Sequence, residues 1–245
     1  MIKLTSNPIT LYITPNFRIP NVVKHIGKTE AGFITKGFNL QGETGIKNRN
    51  YYTEELNANL GGIVVSKKKI NMFHANSNSY ADAERSKNNI FKLFTQKVTD
   101  IAKDTKEKVH VMLFGGYGYG CKKNVTEVQN SHNLFNNVAL CVEDELPAKE
   151  GLNIPLTTIW GKKDVTKPDA VFVRENTVIL INDIFKSLFK NGNKNPSRNE
   201  IVKFLEEHYE EVLIPDEVKI IATEKYEPYR GFLNKYKKKE LNTSI

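Results

Sequence analysis

The chain has 245 residues, 39% of them apolar, which is enough for one sizeable core and excludes a disordered chain. Lys and Arg number 36 against 28 acidic residues, and the resulting net charge of +8 favours an anionic partner: an acidic protein, nucleic acid or a membrane surface. The positive charge is scattered through turns, at Lys67 to Lys69, Lys122 and Lys123, Lys162 and Lys163, and then at Lys235 and Lys237 to Lys239. It forms no aromatic-laced stripe and reads as a solvated face.

Two cysteines, Cys121 and Cys141, exclude a disulfide framework and point to reduced thiols. Met1 to Pro20 is broken by Pro8 and Pro15 and lacks the apolar core of about 7–15 residues that a secretory signal needs. No stretch reaches transmembrane length. The expected location is the cytoplasm, or another compartment reached without a Sec signal peptide.

In chain order, Thr10 to Thr14 reads as a short strand, and Asn21 to Asn50 as a long loop with at most one hairpin. Leu60 to Ser66 and Ile70 to His74 are apolar runs joined by a lysine turn, which predicts an antiparallel hairpin. Ser79 and Asp82 fit a capping box, followed by a helix with Ile90, Phe94, Val98 and Ile101 on one face. Val109 to Phe114 is a buried strand entering the glycine-rich Gly115 to Gly120, and Val125, Val128, Leu134 and Phe135 mark a second amphipathic helix. Val138 to Val142, Leu156 to Trp160, Ala170 to Val173 and Thr177 to Ile181 are four more β-branched or aromatic runs that read as strands.

Beyond Ile181 the pattern becomes helical at Ile184 to Phe189. It is helical again after Ser197, with Glu200 completing a capping box and Ile201, Phe204 and Leu205 on the buried side. Glu206, Glu207, Glu210 and Glu211 read as a solvated helix face, Val218 to Ala222 as a last strand, and the lysine-rich end as a helix. The expected organisation is a core over residues 1–182 and a mostly helical extension over 183–245.

The segment richest in chemistry is Asn57-Ala-Asn-Leu-Gly61-Gly62-Ile63, followed by His74. A glycine pair beginning a strand leaves backbone amides exposed, as an oxyanion-binding turn requires. A histidine on the next strand titrates near neutrality and suits a general base, or else makes ordinary strand-end hydrogen bonds. Cys121, between a glycine-rich loop and Lys122-Lys123, is a candidate thiolate. Cys141 reads as core, and Ser66 and Thr53 are nearby hydroxyls without a recognised base spacing. The glycine-rich Gly115 to Gly120 lacks a Walker lysine, so a phosphate-cradling role would rest on Glu143 or Asp144 as the acidic partner of a dinucleotide fingerprint. His25, His74, His110, His132 and His208 are too widely separated for a metal site, and neither metal nor cofactor is expected.

The glycine pair, His74, Tyr80-Ala-Asp-Ala83, Val111-Met-Leu-Phe-Gly-Gly116, Cys121-Lys-Lys-Asn-Val125 and the run Asp169 to Ile181 occur in an order that resembles the CheD family of chemoreceptor glutamine deamidases. The catalytic fold of that family is shared by the cytotoxic necrotizing factor toxins. The resemblance covers Asn57 to Ile181. It implies an α+β fold, a layered β-sandwich flanked by helices. It also implies a reaction in which a cysteine thiolate attacks a protein glutamine, with a histidine as base and a threonine orienting the pair. These roles fall on Ile63, His74 and Asn57. An isoleucine cannot attack a carbonyl, so the resemblance implies a protein-binding pseudoenzyme, with Asn57, Gly61, Gly62 and Ile63 left as a binding surface. Two alternatives stand beside it: an active thiol-dependent amidohydrolase using Cys121 with His74 or His132, and a basic binder of nucleic acid or anionic surfaces.

Overall fold

The computed structural model describes residues 9–18, 23–25, 34–39, 50–66, 69–75, 96, 98–100, 109–117, 125–163, 169–174, 176–192 and 194–226. The fold is mixed α and β. Twelve strands among the described residues form two six-stranded sheets. The first runs β12 (Lys219–Ala222), β1 (Thr10–Thr14), β10 (Thr177–Ile181), β9 (Ala170–Arg174), β4 (Asn50–Thr53) and β2 (Val23–His25). The second runs β11 (Tyr209–Leu213), β8 (Leu156–Lys162), β7 (His110–Tyr117), β5 (Leu60–Val65), β6 (Lys69–Ala75) and β3 (Ile34–Asn39).

Strand alternation explains the layering. Leu11, Ile13, Tyr51, Val171, Val173, Val178 and Leu180 of the first sheet share one core with Ile63, Val65, Met72, Met112, Phe114 and Ile159 of the second. The opposite face of the second sheet packs Leu60, Val64, Phe73, Val111 and Leu113 against α1 (Val125–Leu140), through Leu134, Phe135 and Val138. Strand β5 is therefore buried on both sides, which its unbroken apolar sequence reflects. Strands β7 and β8 are parallel, and α1 supplies the crossover that parallel pairing demands.

The hairpin of β5 and β6 forms as expected, as do the strands at Thr10, Leu156, Ala170, Thr177 and Lys219. Four expectations need correction. The stretch Asn21 to Asn50, expected to be a long loop, contains two strands, and they do not pair with each other: β2 joins β4 and β3 joins β6. The apolar run Val138 to Val142 is helical, because α1 continues through a π-helical turn, Cys141–Glu145, into α2 (Leu146–Glu150). Glu210 and Glu211 lie in the edge strand β11 rather than on a helix.

Fourth, the region after 182 is not a helical appendage in its described part. After a 3-10 segment, Asp183–Gly192, and α3 (Arg198–His208), it contributes β11 to one sheet and β12 to the other. Ser197 caps α3 by accepting from Glu200 N–H, and the Glu200 carboxylate accepts from Ser197 N–H at 2.7 Å, the reciprocal pair that the sequence signals. Arg198 brackets the turn between β11 and β12, donating to the carbonyls of Val218, Ile214 and Pro215 at 2.6, 2.8 and 3.1 Å. The capping box at Ser79 and the lysine-rich end lie outside the described residues. Among the described residues no helix is long and apolar enough to cross a membrane.

One buried histidine gives the fold a pH signature. His110 Nε2 lies 2.8 Å from Thr157 Oγ1 between β7 and β8, and burial pushes the imidazole down from 6.5 to about 4, against the smaller opposing effect of the Glu217 carboxylate. The unfolded chain binds this proton below about 6.5 while the folded chain refuses it until about 4. The associated stability is therefore complete above the unfolded value and lost as pH falls through that window, on the order of 3 kcal/mol. Thermal unfolding followed from pH 7 to 4 is expected to show a steeper loss for the native chain than for His110→Gln. Equal slopes would remove His110 as the cause.

Candidate functional site

The sequence places its candidate base and its glycine pair on adjacent strands, and the structure puts them directly opposite each other. Gly61 pairs with His74, Gly62 with Phe73 and Ile63 with Met72 across β5 and β6. The glycines are not an exposed turn, which corrects the expectation of an oxyanion-binding loop. On its other side β5 is paired with β7, Gly61 with Phe114 and Gly62 with Leu113, so their amides belong to a central ladder. Their purpose is space. A Cβ at Gly62 would lie 1.9 Å from Cζ of Phe73, and one at Gly61 would lie 2.8 Å from both methyl carbons of Leu56.

His74 and Ile63 project from neighbouring positions of the ladder into the space between the sheets, where Ile63 packs in the shared core. The His74 imidazole is held from the opposite sheet: its Nδ1 lies 2.7 Å from Oγ1 of Thr53 on β4. Both residues are 1% exposed. A hydroxyl therefore holds the ring, while Ile63, the position to which the resemblance assigns the attacking atom, is a hydrocarbon. Thr53 was visible in the sequence only as a nearby hydroxyl. Its pairing with His74 depends on bringing two sheets together, which no local spacing reports.

Segment 54–59 closes this end of the sandwich. Glu55 adopts φ 60°, a left-handed conformation that costs a non-glycine residue on the order of 1 kcal/mol, and the next residue, Leu56, turns fully into the core. Leu56 is then fixed by its own backbone: its N–H donates to Asp169 O at 3.3 Å and its carbonyl accepts from Gly116 N–H at 2.9 Å. Gly115, at φ 111°, allows this approach, since a Cβ there would meet the carbonyls of Asn59 and Leu56 at 2.4 and 2.5 Å. Leu56 thus covers Gly61, where an exposed, oxyanion-binding turn was expected.

The remaining sequence candidates separate. Asn57 is not the residue that orients His74; its Oδ1 accepts from Lys162 Nζ at 3.5 Å. His132 lies on α1, on the other face of the second sheet, with Nε2 3.4 Å from Glu210 Oε2. Cys141 is buried in the π-helical turn rather than in a strand, and Cys121 lies outside the described residues. Among the described residues no group of three or more His, Cys, Asp or Glu side chains is placed to hold a metal ion.

A second polar group, not anticipated from sequence, sits between the sheets. Lys162, read there as a solvated turn charge, is 2% exposed and pairs with Asp169, itself 1% exposed, at 3.0 Å between Nζ and Oδ2. Asp169 Oδ1 accepts from Asn182 Nδ2 and, at 3.2 Å, from the Tyr209 hydroxyl. Burial, then the Asp169 charge, raises the Tyr209 phenol well above its ordinary range, so it remains a neutral donor. Gly161, at φ 73°, breaks the alternation of β8: Trp160 stacks on Phe135 of α1 at 4.7 Å, whereas Lys162 reaches Asp169.

Two substitutions test the first arrangement. Thr53→Val keeps the shape but leaves the imidazole without its hydroxyl, and is expected to cost about 1–3 kcal/mol in urea unfolding. Gly62→Ala drives a methyl into the Phe73 ring and is expected to cost at least about 1–3 kcal/mol. A neutral result for Gly62→Ala would mean that the two strands do not approach as described.

The sequence matches no protein-family model, and no curated protein matches it.

Proposed function

We propose that the chain is a protein-binding relative of the glutamine deamidases that no longer performs their hydrolytic step. The observation carrying this reading is the Thr53–His74 pair, 2.7 Å apart, beside a buried isoleucine. A base fixed by a hydroxyl is the part of a thiol hydrolase that can outlast the nucleophile, because a buried histidine needs a hydrogen-bonding partner in any case. Deamidation also requires a thiolate at bonding distance from a glutamine carboxamide, and an acyl-enzyme that water can reach. Ile63 offers no lone pair, and Leu56 occupies the approach over Gly61.

Binding then falls to the surface of the chain. Its charge of +8 suits an acidic protein, whose association is steered by long-range attraction and weakens as salt rises.

Incubation of the full chain with acidic proteins, followed by native and denaturing mass spectrometry, tests both halves of this reading. Complexes that dissociate with increasing salt are expected, without the mass gain that converts a glutamine to a glutamate. A deamidated partner whose modification disappears in His74→Ala or Cys121→Ser would overturn catalytic silence. The absence of any complex across acidic proteins would overturn the binding role, and salt-sensitive capture of nucleic acid alone would replace it with the nucleic-acid alternative.

A further inference from the structure

The buried cluster around Asp169 has a composition that an ordinary ion pair does not require. It brings together a primary amine, a carboxamide and a carboxylate that touches both, inside an apolar layer. Lys162 comes from β8 of one sheet, and Asn182 directly follows β10 of the other; they are 2% and 5% exposed. The carboxamide oxygen is polarised as well, because Ile184 N–H donates to Asn182 Oδ1 at 3.0 Å. From this juxtaposition we propose that Lys162 and Asn182 become joined by an intramolecular isopeptide bond, which the chain forms by itself with Asp169 carrying the proton.

The chemistry balances without any added reagent. Asp169 Oδ2 lies 3.0 Å from Lys162 Nζ and receives no directed hydrogen bond, so it is placed to accept a proton from the ammonium. That transfer replaces two buried charges with two neutral groups, which an apolar interior favours. The neutral amine attacks Cγ of Asn182 and a C–N bond forms. The negative charge developing on Oδ1 is met by the Ile184 N–H, as an oxyanion hole would meet it.

Asp169, now protonated, returns the proton to Nδ2, which it already contacts through Oδ1. The Cγ–Nδ2 bond breaks and ammonia departs, while the second proton on the attacking Nζ passes to the freed Asp169 carboxylate, leaving Asp169 protonated and a secondary amide between Nζ and Cγ. Tyr209 holds Asp169 in position through its hydroxyl and stays neutral while doing so. Exclusion of water protects both the intermediate and the product from hydrolysis, and fixing amine and carboxamide on one carboxylate removes the entropic cost of bringing them together. The other carboxamide near Lys162, that of Asn57, contacts the amine through its oxygen at 3.5 Å and has no hydrogen bond to Asp169, so it is not the acceptor.

The product would staple the two sheets across their shared core. It would do so without a disulfide, in a chain with only two cysteines.

Intact mass of the full chain, measured after denaturation, provides the test, with proteolysis to locate any branched peptide. The native chain is expected to be lighter than its sequence by one ammonia and to yield a single branched peptide joining Lys162 to Asn182. Lys162→Arg keeps the cation beside Asp169 but is expected to show the full sequence mass, as is Asp169→Ala. A native chain at full sequence mass, with the two peptides recovered separately, would overturn the proposal. Because that measurement uses unfolded native chain, it stands even where a variant fails to fold. Loss of water instead of ammonia would move the bond to Asp169, and a branch at Asn57 would move it to the loop; either result would overturn the assignment to Asn182. A deamidase-like or a purely scaffolding role leaves all of these masses unchanged, so this outcome is independent of the function proposed above.

Discussion

Polar groups between two apolar sheets persist only when another polar group answers them, and where the answer comes from the opposite sheet it organises the molecule. Thr53 on one sheet answers His74 on the other, and Asp169, entering β9, answers Lys162 at the end of β8. Removing one member of either pair takes from a buried polar group the partner set opposite it, a penalty larger than the net value of the contact itself. The pairs therefore fix how the sheets are placed on each other, beyond what the non-directional attraction of Leu11, Ile13, Val171 and Phe114 would specify.

The glycines serve the same layer. Segment 54–59 crosses from the first sheet to the second, and its leucine is buried only because Gly61 and Gly115 leave room for it. Their sequence context suggested a binding loop, since glycine pairs at strand starts serve that purpose elsewhere. In this fold the space belongs to the chain's own side chain.

Much of the strand framework was legible because β-branched runs bounded by turn residues report local conformation. The capping box at Ser197 and Glu200 was legible for a similar reason, its signal lying within four residues. The run Val138 to Val142 misled because five apolar residues fit a strand and a buried helix equally well, and the helix that begins at Val125 simply continues through them. Strand β11 was hidden by its glutamates, which mark the exposed side of an edge strand as readily as a helix face. At the candidate site, the facing of Gly61 and His74 could be read from a hairpin, but the partnership with Thr53 could not. The Lys162 cluster was wholly concealed: Lys162, Asp169, Asn182 and Tyr209 are scattered along the sequence and meet only through tertiary structure, and a lysine next to another lysine reads as solvent-facing.

The position of β1 carries a consequence for how the protein is made. Among the described strands this one comes earliest in the chain, yet both of its neighbours, β10 and β12, lie more than 160 residues later and run parallel to it. On the ribosome one of its edges must wait until residues up to Ile181 have emerged, and the other until Ala222. Such long-range parallel pairing is slow because the loops must close before the contacts reward them. The nascent chain is thus a natural client for chaperones that shield strand edges, and a stalled or truncated product would be left with an unpaired β1 prone to aggregation.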